Sequence, residues 1–122
     1  NRKYEYHYEK PLDVERMKQA AAYLTGTHDF TSFCGNKKMK KSAVRTIYAI
    51  TFTEEGDDLF LDFRGNGFLQ NMIRILTGTL IEVGDGRRKP EEIPDMLAQK
   101  NRECAGYTAP AQGLMLMNVE YE

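Results

Sequence analysis

The chain has 122 residues, which is enough for one ordinary domain, and 41% of them are hydrophobic, which is enough for a core. No apolar run approaches the roughly 18 residues of a membrane-spanning helix, and no signal peptide is recognisable. The cysteines, Cys34 and Cys104, form neither a Cys-x-x-Cys pair nor a Cys/His cluster. This argues against a zinc site and favours two reduced thiols in a cytoplasmic protein.

The net charge of −1 does not by itself indicate a nucleic-acid partner, but the charges are unevenly distributed. No acidic residue occurs between Phe30 and Thr53, and this stretch contains a cluster of cations: Lys37, Lys38, Lys40, Lys41 and Arg45. Such a cluster is either a solvated loop or a surface for a polyanion. The nearby rings of Phe30, Phe33 and Tyr48 favour RNA, because bases stack on aromatic side chains and phosphates pair with cations.

The first elements predicted along the chain are a strand and a helix. Tyrosines alternate with polar residues from Asn1 to Glu9, which is typical of a strand. Asp13 is a suitable N-cap for the next element, a helix. This helix is predicted to end near Gly26 and to have one apolar face, formed by Val14, Met17, Ala21 and Leu24.

A basic loop from Thr27 to Ser42 separates this helix from a predicted β-hairpin. The hairpin strands run from Val44 to Thr53 and from Leu59 to Arg64, because both alternate in hydrophobicity around an acidic, glycine-containing turn. In the first strand, the alternation predicts that one face is shared by Val44, Tyr48, Ile50 and Phe52.

The second half of the chain predicts two more helices, a loop and a final strand. The helices run from about Phe68 to Val83 and from about Pro90 to Lys100, the latter with Pro90 and Pro94 suited to its first turn. A loop from Gly106 to Gly113 leads to a strand from Leu114 to Tyr121. These elements together predict an α+β fold with a mixed or antiparallel sheet.

One charge stands out inside the second helix. Apolar residues surround it on nearly every side, which is typical of a buried helix, yet the run contains Arg74. A guanidinium keeps its charge at any biological pH, and burying it unpaired costs several kcal/mol. Arg74 therefore either reaches water or a core carboxylate, or faces a cleft where it orients a catalytic carboxylate or a substrate phosphate.

Two further motifs each allow two interpretations. His28 beside Asp29 suggests a general base, but no nucleophile elbow accompanies them, and this favours a hydrogen-bonded loop anchored by Phe30 and Phe33. Asn66 and Gly67 come just before the second helix, where exposed N–H groups can hold an anion or simply form a strand-to-helix turn. His28 and Asn66 are both candidate substrate-binding residues.

An ordered series of motifs from about Pro11 to Tyr121 resembles one family. The series comprises His28–Phe33, Arg45–Ile47, Gly65–Arg74, Gly78–Gly84 and Ala105–Leu114. In this order they are similar to the C-terminal half of the tRNA pseudouridine synthase A family. The resemblance implies a sheet flanked by helices and loops around a central cleft, and isomerisation of uridine at positions 38, 39 and 40 of the tRNA anticodon stem-loop. It implies a homodimer that grips tRNA, and no cofactor or metal.

The resemblance also assigns site residues. The family's nucleophilic aspartate stands in a Gly-Arg-Thr-Asp-x-Gly motif, which this chain lacks, so residues 1–122 are expected to be a C-terminal domain that is inactive alone. Arg74 matches the arginine that pairs with that aspartate, and Leu114 and Leu116 match an apolar wall near the base. The family also has an active-site tyrosine on a strand. Tyr4 and Tyr6 are candidates for it, although the residues from Tyr6 to Pro11 resemble the stretch just beyond that strand.

The sequence leaves two functions open. In the first, the chain is the C-terminal catalytic part of an enzyme, Arg74 orients the aspartate, and the cluster from Lys37 to Arg45 contacts tRNA phosphates. In the second, it is a non-catalytic RNA-binding or dimerisation module in which Arg74 has a purely structural partner.

Overall fold

A computed structural model describes residues 12–35, 42–55, 58–109 and 117–121, with Asp58 and the last range described by backbone only. Three α-helices and four strands lie in these ranges. In chain order they are α1 (Val14–Leu24), β1 (Gly26–Asp29), β2 (Val44–Glu55), β3 (Asp58–Gly65), α2 (Met72–Gly84), α3 (Ile93–Gln99) and β4 (Met117–Tyr121). Single 3₁₀ turns occur at Thr31–Phe33, Pro90–Glu92 and Arg102–Cys104.

Helix α1 begins and ends where the sequence predicts. The Asp13 side chain accepts a hydrogen bond from the Arg16 backbone N–H at 3.2 Å, which satisfies one of the free donors of the first turn. The helix ends at Leu24, and Gly26 adopts a φ of +98°, a conformation that suits glycine, as the chain turns into β1. The predicted apolar face is largely confirmed, since Met17, Ala21 and Leu24 are buried, and Ala20 joins them.

The four strands form one mixed sheet in the order β1-β2-β3-β4. The pairs β1/β2 and β2/β3 are antiparallel, whereas β4 lies parallel to β3. The predicted continuous loop from Thr27 to Ser42 is wrong at its start, because Gly26–Asp29 pairs with Val44–Ile47 as strand β1. This four-residue strand has no hydrophobic alternation, so only its pairing with β2 makes it a strand.

The predicted hairpin is confirmed, but the predicted face of its first strand is wrong at one end. Val44 and Tyr48 are 46% and 48% exposed, whereas Ile47 is 1% exposed. The register between β2 and β3 shifts between Ile47 and Ala49, so Tyr48 is an extra residue in β2. A bulge of this kind reverses which alternate residues face the core. Ile50 and Phe52, beyond the bulge, are partly buried against the core as predicted.

Helix α2 is buried along most of its length, as its composition predicts. Ten of its residues are buried, including both threonines, whose hydroxyls donate to backbone carbonyls one turn earlier. It starts at Met72 rather than near Phe68, and the residue before it, Asn71, has a φ of +59°. The predicted third helix is confirmed as a 3₁₀ turn that begins at Pro90 and continues into α3.

One hydrophobic core joins the helices to one face of the sheet. Ile47, Leu61 and Phe63 project from the strands into the cluster that contains the buried residues of α1 and α2. The helices pack closely, since a Cβ at Gly84 would lie 2.8 Å from Met17 Sδ. In this part of the chain the α+β architecture with a mixed sheet is confirmed. None of the helices in the described ranges is long and apolar enough to cross a membrane.

Candidate active site

Arg74 lies in the first turn of α2 and is half-buried. The apolar residues around the helix predict a buried position here, and this burial is therefore only partial. The reason is the later start of the helix: Arg74 is only two residues from Met72, next to the exposed Gln70 and Asn71. The charge thus sits at the margin of the core, where water or an incoming group can reach it.

The guanidinium is nevertheless held in a defined position. Its Nε donates to the backbone carbonyl of Ala109 at 2.7 Å, and its Nη1 donates to the side-chain carbonyl of Asn71 at 3.4 Å. The Ala109 N–H donates in return to the Arg74 carbonyl at 3.1 Å. Ala109 is fully buried, so this paired contact anchors the side chain on its protein side.

Arg74 has no acidic partner in the described part of the chain. A guanidinium carries five N–H donors, and its two hydrogen bonds use one at Nε and one at Nη1. No carboxylate of the described residues forms an ion pair with it. The arrangement leaves donors that suit the two oxygens of a carboxylate or phosphate, since paired N–H donors bind such groups with good geometry.

Asn66 and Arg45 are both engaged with backbone groups near the start of β2. The Asn66 side-chain carbonyl accepts from the Thr46 N–H at 2.9 Å, and the Asn66 N–H donates to the Thr46 carbonyl at 3.0 Å. The Nη1 of Arg45 donates to the carbonyls of Ser42 and Val44. Of the two interpretations of Asn66, the structure supports the strand-to-helix turn, and substrate binding by either residue stays a prediction.

His28 and Asp29 do not form a catalytic pair. The Nε2 of His28 lies 2.8 Å from the Thr25 carbonyl, so it must donate, and Asp29 accepts from the N–H and hydroxyl of Thr31. These hydrogen bonds, with the charge of Lys100 3.8 Å away, hold the pKa of Asp29 below its ordinary value although partial burial opposes them. The structure supports the interpretation of a hydrogen-bonded loop, with Phe30 and Phe33 fully buried beneath it.

Gly35 and Arg45, on either side of the four clustered lysines, lie near the residues that precede α2. On one side, the Gly35 N–H donates to the Gln70 carbonyl, and a Cβ at Gly35 would lie 2.9 Å from Asn71 Nδ2. On the other side, the Arg45 side chain passes Gly67, since a Cβ at Gly67 would lie 3.7 Å from the Arg45 Nε. Several predicted site residues lie outside the described residues: Lys37, Lys38, Lys40, Lys41, Leu114, Leu116, Tyr4 and Tyr6.

Sequence analysis predicted a loop from Gly106 to Gly113 and counted Ala105–Leu114 among the family motifs, but it did not predict that the 104–109 segment contacts Arg74. This segment crosses α2 at Gly78, where a Cβ would collide with the Tyr107 carbonyl oxygen. A glycine inside an apolar helix is a usable signal for such a close approach. The role of Ala109 has no sequence signal, because it acts through its backbone carbonyl. The described residues contain no group of three or more His, Cys, Asp or Glu that could hold a metal ion.

Comparison with known proteins places the chain in a family. The family of tRNA pseudouridine synthases matches residues 20–122, which include β1 to β4, α2 and Arg74. The chain belongs to the tRNA pseudouridine synthase family. It is 52% identical over 120 residues to tRNA pseudouridine synthase A 1 of Bacillus cereus, a match that covers 98% of this chain and 49% of that protein.

Other family members align in the same way. tRNA pseudouridine synthase A of Brevibacillus brevis is 51% identical over 119 residues, and that of Halalkalibacterium halodurans is 53% identical over 114 residues. These matches cover 98% and 93% of this chain, but 49% and 43% of the relatives. The chain therefore spans about half the length of the curated relatives it matches.

The contact at Gly78 predicts a specific effect on stability. Gly78→Ala should lower the free energy of unfolding by about 1–3 kcal/mol, because the new methyl group collides with the Tyr107 backbone. In an ordinary helix interior the same change stabilises by up to about 1 kcal/mol. Urea denaturation of the protein measures the difference.

Gly84→Ala is the matched control, because it adds a methyl group to the same helix but meets the movable side chain of Met17. We expect it to cost less than Gly78→Ala. A Gly78→Ala protein as stable as the parent would contradict the close approach of the 104–109 segment.

Proposed function

We propose that the protein to which this chain contributes isomerises uridine to pseudouridine in tRNA, at positions 38, 39 and 40 of the anticodon stem-loop. Membership of the family supports the reaction class. The observation that carries the proposal for this chain is the anchored guanidinium of Arg74, whose donors have no carboxylate partner among the described residues. A cation held in this way suits an anion supplied from elsewhere.

The anion we propose is the nucleophilic aspartate. The family's Gly-Arg-Thr-Asp-x-Gly motif does not occur in the 122 residues, and the chain spans about half the length of its relatives. The aspartate would then come from a part of the protein outside this chain. The chain itself would form the C-terminal half of the catalytic region. An arginine about 4 Å away contributes about 4 kcal/mol of attraction near a protein surface. It would keep the carboxylate ionised and oriented for attack.

The 104–109 segment suggests which residues would lie beside the target uridine base. Ala109 holds Arg74 and is followed, five and seven residues later, by Leu114 and Leu116. We propose that these leucines form an apolar wall beside the target base once it has been turned out of the RNA stack, as chemistry on a base requires. Gly35 and Arg45, on either side of the four clustered lysines, lie beside Asn71 and Gly67, and this supports a role for these lysines in RNA binding near Arg74.

The remaining parts of the proposal concern the whole protein. We infer a cytoplasmic homodimer in which both subunits contact tRNA and which needs no metal or cofactor for the isomerisation. His28 and Asn66 adjoin strand β2 close to Arg45. Their side chains hydrogen-bond to the backbone of Thr25 and Thr46, and we propose that they help to bind RNA by holding this backbone in place.

The division of the catalytic site predicts that residues 1–122 produced alone form no pseudouridine, whereas the full-length protein does. Conversion of uridine in an anticodon stem-loop transcript, measured by mass spectrometry of the digested RNA, distinguishes the two. Pseudouridine formed by residues 1–122 alone would refute an external aspartate. A full-length protein that binds tRNA without converting it would favour the non-catalytic RNA-binding or dimerisation module.

Arg74→Ala in the full-length protein should lower the single-turnover rate by about 100-fold or more, because one charge-stabilising donor group is lost at the reacting centre. The dissociation constant for tRNA should change by less than about threefold, since the rest of the RNA surface is intact. Lys18→Ala is the control: it removes an exposed cation from α1 and should leave both values unchanged. A near-normal rate for Arg74→Ala would refute its role.

Replacing Lys37, Lys38, Lys40 and Lys41 by glutamine should weaken tRNA binding and flatten its dependence on salt. Each lost phosphate contact should lower the slope of log affinity against log salt by about 0.7–0.9. Filter binding at several salt concentrations measures this slope. Lys18 and Lys89, which are exposed, form the control pair; equal slopes in the two sets of variants would exclude a special role for the four lysines.

A further inference from the structure

Glu82, near the C-terminal end of α2, connects two groups through its two carboxylate oxygens. Its Oε1 accepts from the Arg88 Nε at 2.9 Å, and its Oε2 accepts from the Tyr107 backbone N–H at 3.1 Å. The side chains of Glu82 and Arg88 are only 12% and 22% exposed. A largely enclosed ion pair with both oxygens in use constrains geometry more than an exposed surface pair does.

Arg88 extends this connection to the start of the 104–109 segment. Its Nη1 donates to the Cys104 carbonyl at 3.0 Å, and its Nη2 donates to the Ala105 carbonyl at 3.3 Å. The Arg88 carbonyl in turn accepts from Arg16 of α1 at 2.9 Å. The planar guanidinium therefore fixes two successive carbonyls, provided that Glu82 holds its Nε edge.

The segment then runs back along α2 toward Arg74. The Gly106 N–H donates to the buried Thr79 hydroxyl at 2.9 Å, and the Tyr107 carbonyl lies against Gly78. Two residues later Ala109 exchanges hydrogen bonds with Arg74. Contacts thus continue without a gap from Glu82 to the guanidinium of the candidate active site, over two turns of one helix.

We propose that Glu82 is a positioning residue for pseudouridine formation, acting through the 104–109 segment to place the Ala109 carbonyl and hence the guanidinium of Arg74. This inference rests on the proposed function. A carboxylate is required because it accepts on both oxygens at once. An amide has only one acceptor oxygen, so it must leave either Arg88 or Tyr107 facing another donor.

The experiment uses the full-length protein and the Glu82→Gln variant. We expect its single-turnover rate to fall about tenfold or more while the dissociation constant for tRNA changes by less than about twofold, the pattern of a lost transition-state contribution. Glu15→Gln, at an 81% exposed carboxylate of α1, is the matched control and should behave as the parent. A normal rate for Glu82→Gln would overturn the proposal.

A double-mutant cycle separates positioning from a general loss of structure. In an Arg74→Lys background, where the Nε contact to Ala109 no longer exists, Glu82→Gln should slow the reaction by less than about twofold, because coupled residues are not additive. Equal fractional losses in the parent and Arg74→Lys backgrounds would show that Glu82 does not act through Arg74, and would overturn the proposal.

Amide hydrogen exchange tests the same connection without relying on activity. In Glu82→Gln the Tyr107 and Ala109 amides should exchange at least about tenfold faster, whereas the Met17 amide in α1 should be unaffected. Unchanged exchange at both amides would overturn the proposal. If Glu82→Gln does not fold, Arg88→Lys, which keeps the charge but removes the fork, is expected to give the same rate loss and exchange pattern.

An inactive parent protein would refute the proposed function by itself. In that case the exchange measurement still decides whether Glu82 controls the 104–109 segment, so the two failures are distinguishable.

Discussion

The reciprocal contact between Arg74 and Ala109 is the interaction on which the candidate site depends. It joins the first turn of a buried helix to a segment more than thirty residues later, and it does so through backbone groups on both sides as well as the guanidinium. Since Ala109 is fully buried, it cannot move without disturbing the core. The direction of the guanidinium is therefore set by the packing of α2 against this segment.

Arg74 and Arg88 differ in how many of their N–H donors are engaged within the protein. Arg88 has an acidic partner and two backbone carbonyls, so its Nε and both Nη atoms are engaged within the protein. Arg74 donates to the Ala109 carbonyl and, over a longer distance, to the side-chain carbonyl of Asn71. It has no carboxylate partner among the described residues. A half-buried guanidinium with N–H donors to spare, at the margin of the core, can gain energy by binding an incoming anion. This difference supports the proposal that Arg74, rather than Arg88, pairs with the catalytic anion.

The parts of the fold that local chemistry dictates were predictable. The N-cap at Asp13, the hairpin of β2 and β3 and the buried character of α2 follow from side-chain type and periodicity alone. Strand β1 and the bulge at Tyr48 were not predictable, because each arises from pairing with a partner strand that the local sequence does not encode. The half-exposure of Arg74 was missed for a related reason: it depends on where α2 begins, which is set by the conformation of Asn71.

By itself, the sequence determined that a charge interrupts an apolar helix and that a series of motifs belongs to one enzyme family, because side-chain identity and order are properties of the chain alone. Tertiary structure decided which groups hold that charge. The carbonyl of Ala109 and the amide of Tyr107 meet side chains of α2 through backbone atoms, and nearly every residue carries the same backbone atoms. Only the folded path of the 104–109 segment across Gly78 distinguishes these carbonyls and amides from all others in the chain.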